Sequence, residues 1–105
     1  MAGILYFEKD LFLQKYVEQL AVSSGLEINC YTSYEGLEYL LTSLNPDIII
    51  LDEQIKAEGL KSVAKDSEIP VVFTGFSLKE ETHFLRKPFC ADKLINTVKG
   101  ILNDA

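Results

Sequence analysis

The segment Asn45-Pro46-Asp47-Ile48-Ile49-Ile50-Leu51-Asp52 constrains the fold more than any other part of this 105-residue chain. Ile48 to Leu51 is an uninterrupted apolar run in which three residues are β-branched. A strand that faces water on one side alternates apolar with polar residues. An unbroken run is apolar on both faces and suits the centre of a parallel sheet covered by helices above and below. Asp52 falls where this strand ends. In open α/β sheets ligands bind outside the carboxyl ends of the central strands, so a lone acid there is a candidate functional group; the alternative is a carboxylate that caps the next turn.

The remaining chain supplies the partners such a strand needs. Gly3-Ile4-Leu5-Tyr6-Phe7 is a second run of strand length, ending in the charged cluster Glu8-Lys9-Asp10. Leu13, Val17, Leu20 and Ala21 follow at helical spacing, with Gly25 at the place of a C-terminal cap. Residues 26–32 alternate as a strand with one more exposed face, and Ser33 is a plausible N-cap for a helix carrying Leu37, Leu40, Leu41 and Leu44. After Asp52, residues 53–57 read as a loop and 59–65 as a short helix. Residues 69–74 form a fourth strand with Thr74 at its end, and 83–86 a fifth that runs into Lys87-Pro88-Phe89. Leu94, Val98, Ile101 and Leu102 mark a final helix.

Strands alternating with helices predict one α/β domain over residues 1–105, a doubly wound five-stranded parallel sheet in the order 2-1-3-4-5. Only residues 75–82 lie between strands four and five, too few for a mean helix of ~11–12 residues and its two loops, so the fourth crossover helix is expected to be reduced or absent.

Composition excludes several classes of function. A net charge of −6 without a basic patch argues against nucleic-acid binding. The longest apolar runs fall far short of the ~20 residues of a membrane span, and the chain enters its first strand at once, which points to a cytoplasmic protein without a leader. Cys30 and Cys90 lack CxxC spacing and read as buried thiols in a reducing compartment, and His83, the sole histidine, leaves no zinc-type cluster.

In a 2-1-3-4-5 sheet the strand-terminal residues Glu8, Asp52, Thr74 and Lys87 converge on one edge. An acid as nucleophile, a second acid to help hold a divalent cation, a hydroxyl and an ammonium are the parts that phosphoryl transfer to a carboxylate requires. The bland rivals are a threonine satisfying a strand end, a snorkelling lysine and a core phenylalanine at Phe84.

Taken in order, Pro46-Asp47-Ile48-Ile49-Ile50-Leu51-Asp52, Phe73-Thr74-Gly75 and Lys87-Pro88-Phe89 resemble the receiver domains of two-component response regulators, which are CheY-like and share a flavodoxin-like fold. The resemblance covers essentially the whole chain. It implies Asp52 as phosphoacceptor for a histidine kinase or phosphotransfer protein, Thr74 as switch hydroxyl and Lys87 as the lysine that bridges to the phosphoryl group. It further implies Phe84 as aromatic switch, a cis peptide bond before Pro88, and Mg²⁺ held by Glu8, Asp52 and the backbone carbonyl of Gln54. Output would be a contact with a downstream protein or a homodimer, since no output domain follows Ala105, and the module would not be an enzyme.

The chain departs from the family pattern. Lys9 stands on the acid that ligates the metal directly, an exchange that works against Mg²⁺. Either Asp10 swings in to replace the lost ligand, or Lys9 itself pairs with Asp52. Lys56 stands where a proline is usual, the helix after Gly59 is short, and loss of the fourth crossover helix should uncover an apolar patch near Phe76 and Phe84, unless residues 75–82 lie over it. Two readings result: a stand-alone receiver phosphorylated on Asp52, and a pseudo-receiver that binds partners without phosphorylation. A third, a flavodoxin-like cofactor protein, is disfavoured because no Gly-rich or Ser/Thr-rich phosphate loop follows strand one.

Overall fold

The structure, a computed structural model, describes residues 3–33, 37–55, 68–76, 84–87 and 90–103. Five parallel strands form one sheet: β1 (Gly3–Phe7), β2 (Glu27–Tyr31), β3 (Ile48–Asp52), β4 (Val71–Gly75) and β5 (Phe84–Arg86), in the order β2-β1-β3-β4-β5. Three described helices flank it: α1 (Leu11–Ser23), α2 (Leu37–Leu44) and α3 (Ala91–Asn103). The expected sheet order is the observed one.

Every residue of β3 is buried, and its side chains divide strictly by parity. Ile48 and Ile50 enter a cluster with Ile4, Tyr6, Val17, Ala21, Leu94, Ile95 and Val98, which places α1 and α3 on one face. Ile49 and Leu51 join Leu5, Phe7 and Ile55 on the opposite face, where Leu40 and Leu41 of α2 pack. The unbroken apolar run is thus a period-2 alternation between two cores. Burying such a side chain contributes about 1.5–3 kcal/mol, and β3 is the one described strand in which every residue is buried.

Local chemistry sets the element ends. Asp10 is the N-cap of α1: its carboxylate accepts from the N–H groups of Phe12 and Leu13, at 3.0 and 3.2 Å. At the other end Gly25, at φ 77°, takes the left-handed conformation that turns the chain into β2. The fourth strand begins at Val71, two residues later than the sequence reading, because Pro70 donates no N–H; its carbonyl instead accepts from Ile49 at 3.0 Å.

β4 ends at Gly75 and β5 begins at Phe84, so the fourth crossover is confined to residues 76–83, too short for a full crossover helix. Residues 77–83, the short helix expected over 59–65, Lys56, His83 and the Pro88 peptide bond lie outside the described residues, as do 34–36 beside the N-cap expected at Ser33. No helix among the described residues is long and apolar enough to cross a membrane.

Candidate functional site

Parallel register brings the site together. Asp52 and Thr74 are register partners at the carboxyl ends of β3 and β4, and Phe7 opposite Leu51 carries the chain to Glu8 beside them. β5 hands over to Lys87, whose N–H donates to the Gly75 carbonyl at 2.6 Å. Glu8, Asp52 and Thr74 are each fully buried, an unusual concentration of polar groups that must satisfy one another.

They do so around one ammonium. Lys87 Nζ contacts Asp52 Oδ2 at 2.7 Å and also pairs with Glu8 Oε1, with only 9% of the lysine side chain exposed. Asp52 Oδ2 accepts a second hydrogen bond from the Thr74 hydroxyl at 3.0 Å, and Asp52 Oδ1 accepts from the Gln54 N–H at 2.9 Å. The second Glu8 oxygen accepts from the Asp10 N–H at 3.2 Å, and the Tyr6 hydroxyl lies 3.5 Å from Oε1. No buried side-chain nitrogen or oxygen among the described residues lacks a partner.

The electrostatics follow from burial. Desolvation works to lower the Lys87 pKa, but the hydrogen bonds and charges of Asp52 and Glu8 outweigh it, and the ammonium is held above the ordinary lysine value. Burial first, then the charges of Glu8 and Asp52, push the Tyr6 hydroxyl well above the usual tyrosine range. Tyr6 is therefore a neutral donor beneath the pair.

The residues singled out from sequence meet here in part. Asp52, Thr74, Lys87 and Glu8 form one connected cluster. Gln54 is exposed and contributes its N–H to Asp52. Phe84 is half-buried on β5, opposite Phe73, while Phe76 is 60% exposed at the expected apolar patch.

Two expectations about Lys9 and Asp10 are corrected. Lys9 is exposed and makes no ion pair among the described residues; the lysine that neutralises Asp52 is Lys87. Asp10 does not swing toward the site, because its carboxylate is committed to the first turn of α1. These placements decide the fit of Mg²⁺, which demands near-octahedral oxygen ligands. The two carboxylate oxygens facing each other are already bridged by Lys87 Nζ, and the residue after Glu8, where a further acid would serve the ion, is the exposed Lys9. The residues present do not fit the ion.

Sequence reasoning missed Gln14. It is nearly buried on α1, and its Nε2 donates to the carbonyls of Glu8 and, at 3.2 Å, Tyr31, tying together the ends of β1 and β2. A signal existed, since Gln14 interrupts the apolar stripe that continues through Val17 and Ala21. Glu53, which folds against the start of the β4–β5 connection, gave none.

No family model matches the sequence, and no curated protein matches it. Solved structures do. The receiver domain of Francisella response regulator 1452 aligns over 99% of this chain and 98% of its own, with a TM-score of 0.85 at 16% identity. The chemotaxis response regulator CheY4 of Vibrio cholerae aligns over 96% and 98%, with a TM-score of 0.81 at 19% identity. HP1043, an orphan response regulator of H. pylori, aligns over 94% of each chain, with a TM-score of 0.81 at 21% identity. At these identities the likeness establishes the fold: the chain has the receiver-domain fold, with a shortened fourth crossover.

Proposed function

We propose that this chain is a single receiver-type module of two-component signalling, not an enzyme, that acts by binding other proteins and whose acidic site is closed by Lys87 in place of a metal ion. One observation carries the reading: Lys87 Nζ spans Glu8 and Asp52, while the Thr74 hydroxyl and the Gln54 N–H also donate to the fully buried Asp52 carboxylate. Three donors on one buried carboxylate hold its charge in place and weaken it as a nucleophile. The position where a further acid would recruit Mg²⁺ carries Lys9, turned to solvent. Partners would be a downstream protein or a second copy of the chain, with a histidine kinase or phosphotransfer protein as the upstream contact that the fold suggests.

A specific observation favours a second reading, in which Asp52 accepts a phosphoryl group. The Thr74 hydroxyl and the Lys87 ammonium both reach the same oxygen, Oδ2, and would be placed to hold the oxygens of a phosphoryl group once Lys87 left Glu8. Phe84 would then be the ring that follows Thr74.

Incubation with Mg²⁺ and acetyl phosphate, followed by intact-mass measurement of the wild type and Asp52→Asn, separates the two. The first reading expects no adduct in either protein. A phosphoryl adduct on the wild type that is missing from Asp52→Asn overturns it and establishes the second.

A further inference from the structure

Glu53 follows directly on Asp52 and faces the only described segment that leads out of β4. Its N–H donates to the Thr74 carbonyl at 2.8 Å, extending the β3–β4 ladder one residue past Asp52. Its carboxylate then folds across Gly75, and Oε1 accepts from the Phe76 N–H at 3.0 Å. Gly75 makes this path possible. A Cβ there would collide with the Cγ, Cδ and Oε1 atoms of Glu53, all of them the movable end of a side chain. Substitution at Gly75 would therefore displace the Glu53 carboxylate and leave the backbone in place.

The tethered residue bears on the site. The Phe76 ring centroid lies 5.9 Å from Lys87 Nζ, within cation–π range, and Phe76 is 60% exposed while the Lys87 side chain is only 9% exposed. Lys87 is also held from its own backbone, since its N–H donates to the carbonyl of Gly75. Glu53, Gly75 and Phe76 thus form a continuous path from the strand that carries Asp52 to the lysine that closes it.

We propose that Glu53 is a positioning residue that latches the acidic site shut: its carboxylate fixes Phe76 as a cover over Lys87, and Gly75 is the gap that admits it. The inference deepens the closed-site reading above and rests on it. Opening the latch frees the Phe76 N–H, removes the ring from the ammonium and gives solvent a route to the Glu8–Lys87–Asp52 cluster.

The test reads Lys87 directly. Full-length protein is treated with a small water-soluble amine-acylating reagent, and the rates of modification at Lys87 and at exposed Lys9 are compared by peptide mass. In the wild type, Lys87 should react far more slowly than Lys9. Glu53→Ala and Gly75→Ala should each speed Lys87 about tenfold relative to Lys9, the size expected from losing one charge-assisted hydrogen bond. The double variant should be no faster than either single one, because both remove the same contact. Glu53→Gln, whose amide oxygen still accepts, should behave as wild type, and Phe76→Ala should match Glu53→Ala. An unchanged Lys87 rate in folded Glu53→Ala, or additive effects in the double variant, overturns the latch while the closed site stands. A wild-type Lys87 that reacts as fast as Lys9 overturns the closed site itself.

Discussion

Replacing Lys87 with methionine keeps most of the side-chain length and removes the charge on which the acidic cluster depends. Glu8 Oε1 and Asp52 Oδ2 both contact Nζ, so hydrogen-bond geometry keeps them at most roughly 5–6 Å apart. With the ammonium gone, two buried carboxylates face each other, a repulsion of about 3 kcal/mol at an effective dielectric of ~20. Breaking a buried ion pair from one side costs about 3–5 kcal/mol by general experience, a large part of the ~5–15 kcal/mol total of a small domain. Lys87→Met should therefore lose about 3–5 kcal/mol in urea unfolding at neutral pH. Adding Glu8→Gln should recover about 2–3 kcal/mol, since only one carboxylate then remains in the cluster. Alkaline pH supplies an independent reading. The Lys87 pKa is higher in the folded than in the unfolded chain, so its stabilisation is complete below the ordinary lysine value and fades as pH rises through the raised one. Lys87→Met should lack that alkaline component. A loss below about 1 kcal/mol, or additive Lys87 and Glu8 effects, would refute the account of one ammonium shared by two acids.

The helix cap and the thiols give further checks. Asp10→Ala should cost about 1 kcal/mol in the same unfolding assay while Asp10→Asn costs little, because Asp10 serves as a cap that either side-chain oxygen can provide; a larger loss from Asn than from Ala would contradict the assignment. Titration with a thiol-reactive chromophore at mildly alkaline pH should show one fast and one slow cysteine. Cys90 is exposed, whereas burial, with the charge of Glu18 second, pushes the Cys30 thiol up to about 11. Equal rates in the folded protein would refute that contrast.

The sheet is more legible in the sequence than the site is. β3 is legible because its branched aliphatics leave no polar face, β1 because Gly3 to Phe7 is a second hydrophobic run of strand length, and α1 because Leu13, Val17, Leu20 and Ala21 follow at helical spacing. The strand-end constellation followed from topology: once β1, β3, β4 and β5 are parallel and adjacent, Glu8, Asp52, Thr74 and Lys87 must meet. What sequence could not fix was which cation neutralises Asp52. Lys9 is adjacent in sequence to Glu8, yet a single residue past a buried strand-end position turns outward, while Lys87 approaches from a different strand. Direction at a strand end depends on the pleat and the following turn, and both lysines looked equally near on paper. Gln14 was readable as a polar break in an apolar stripe. Glu53 was not, because the space it fills is defined by a missing side chain on a neighbouring strand.

The pairing of Glu8 with Lys87 joins residues 79 apart in sequence, from the first strand to the end of the last. Contacts of such separation carry the full entropy of closing nearly the whole chain and form only after the intervening strands are in register. Until then Asp52 and Glu8 are solvated acids on an incomplete sheet edge. The closed cluster therefore marks completed assembly of the sheet edge.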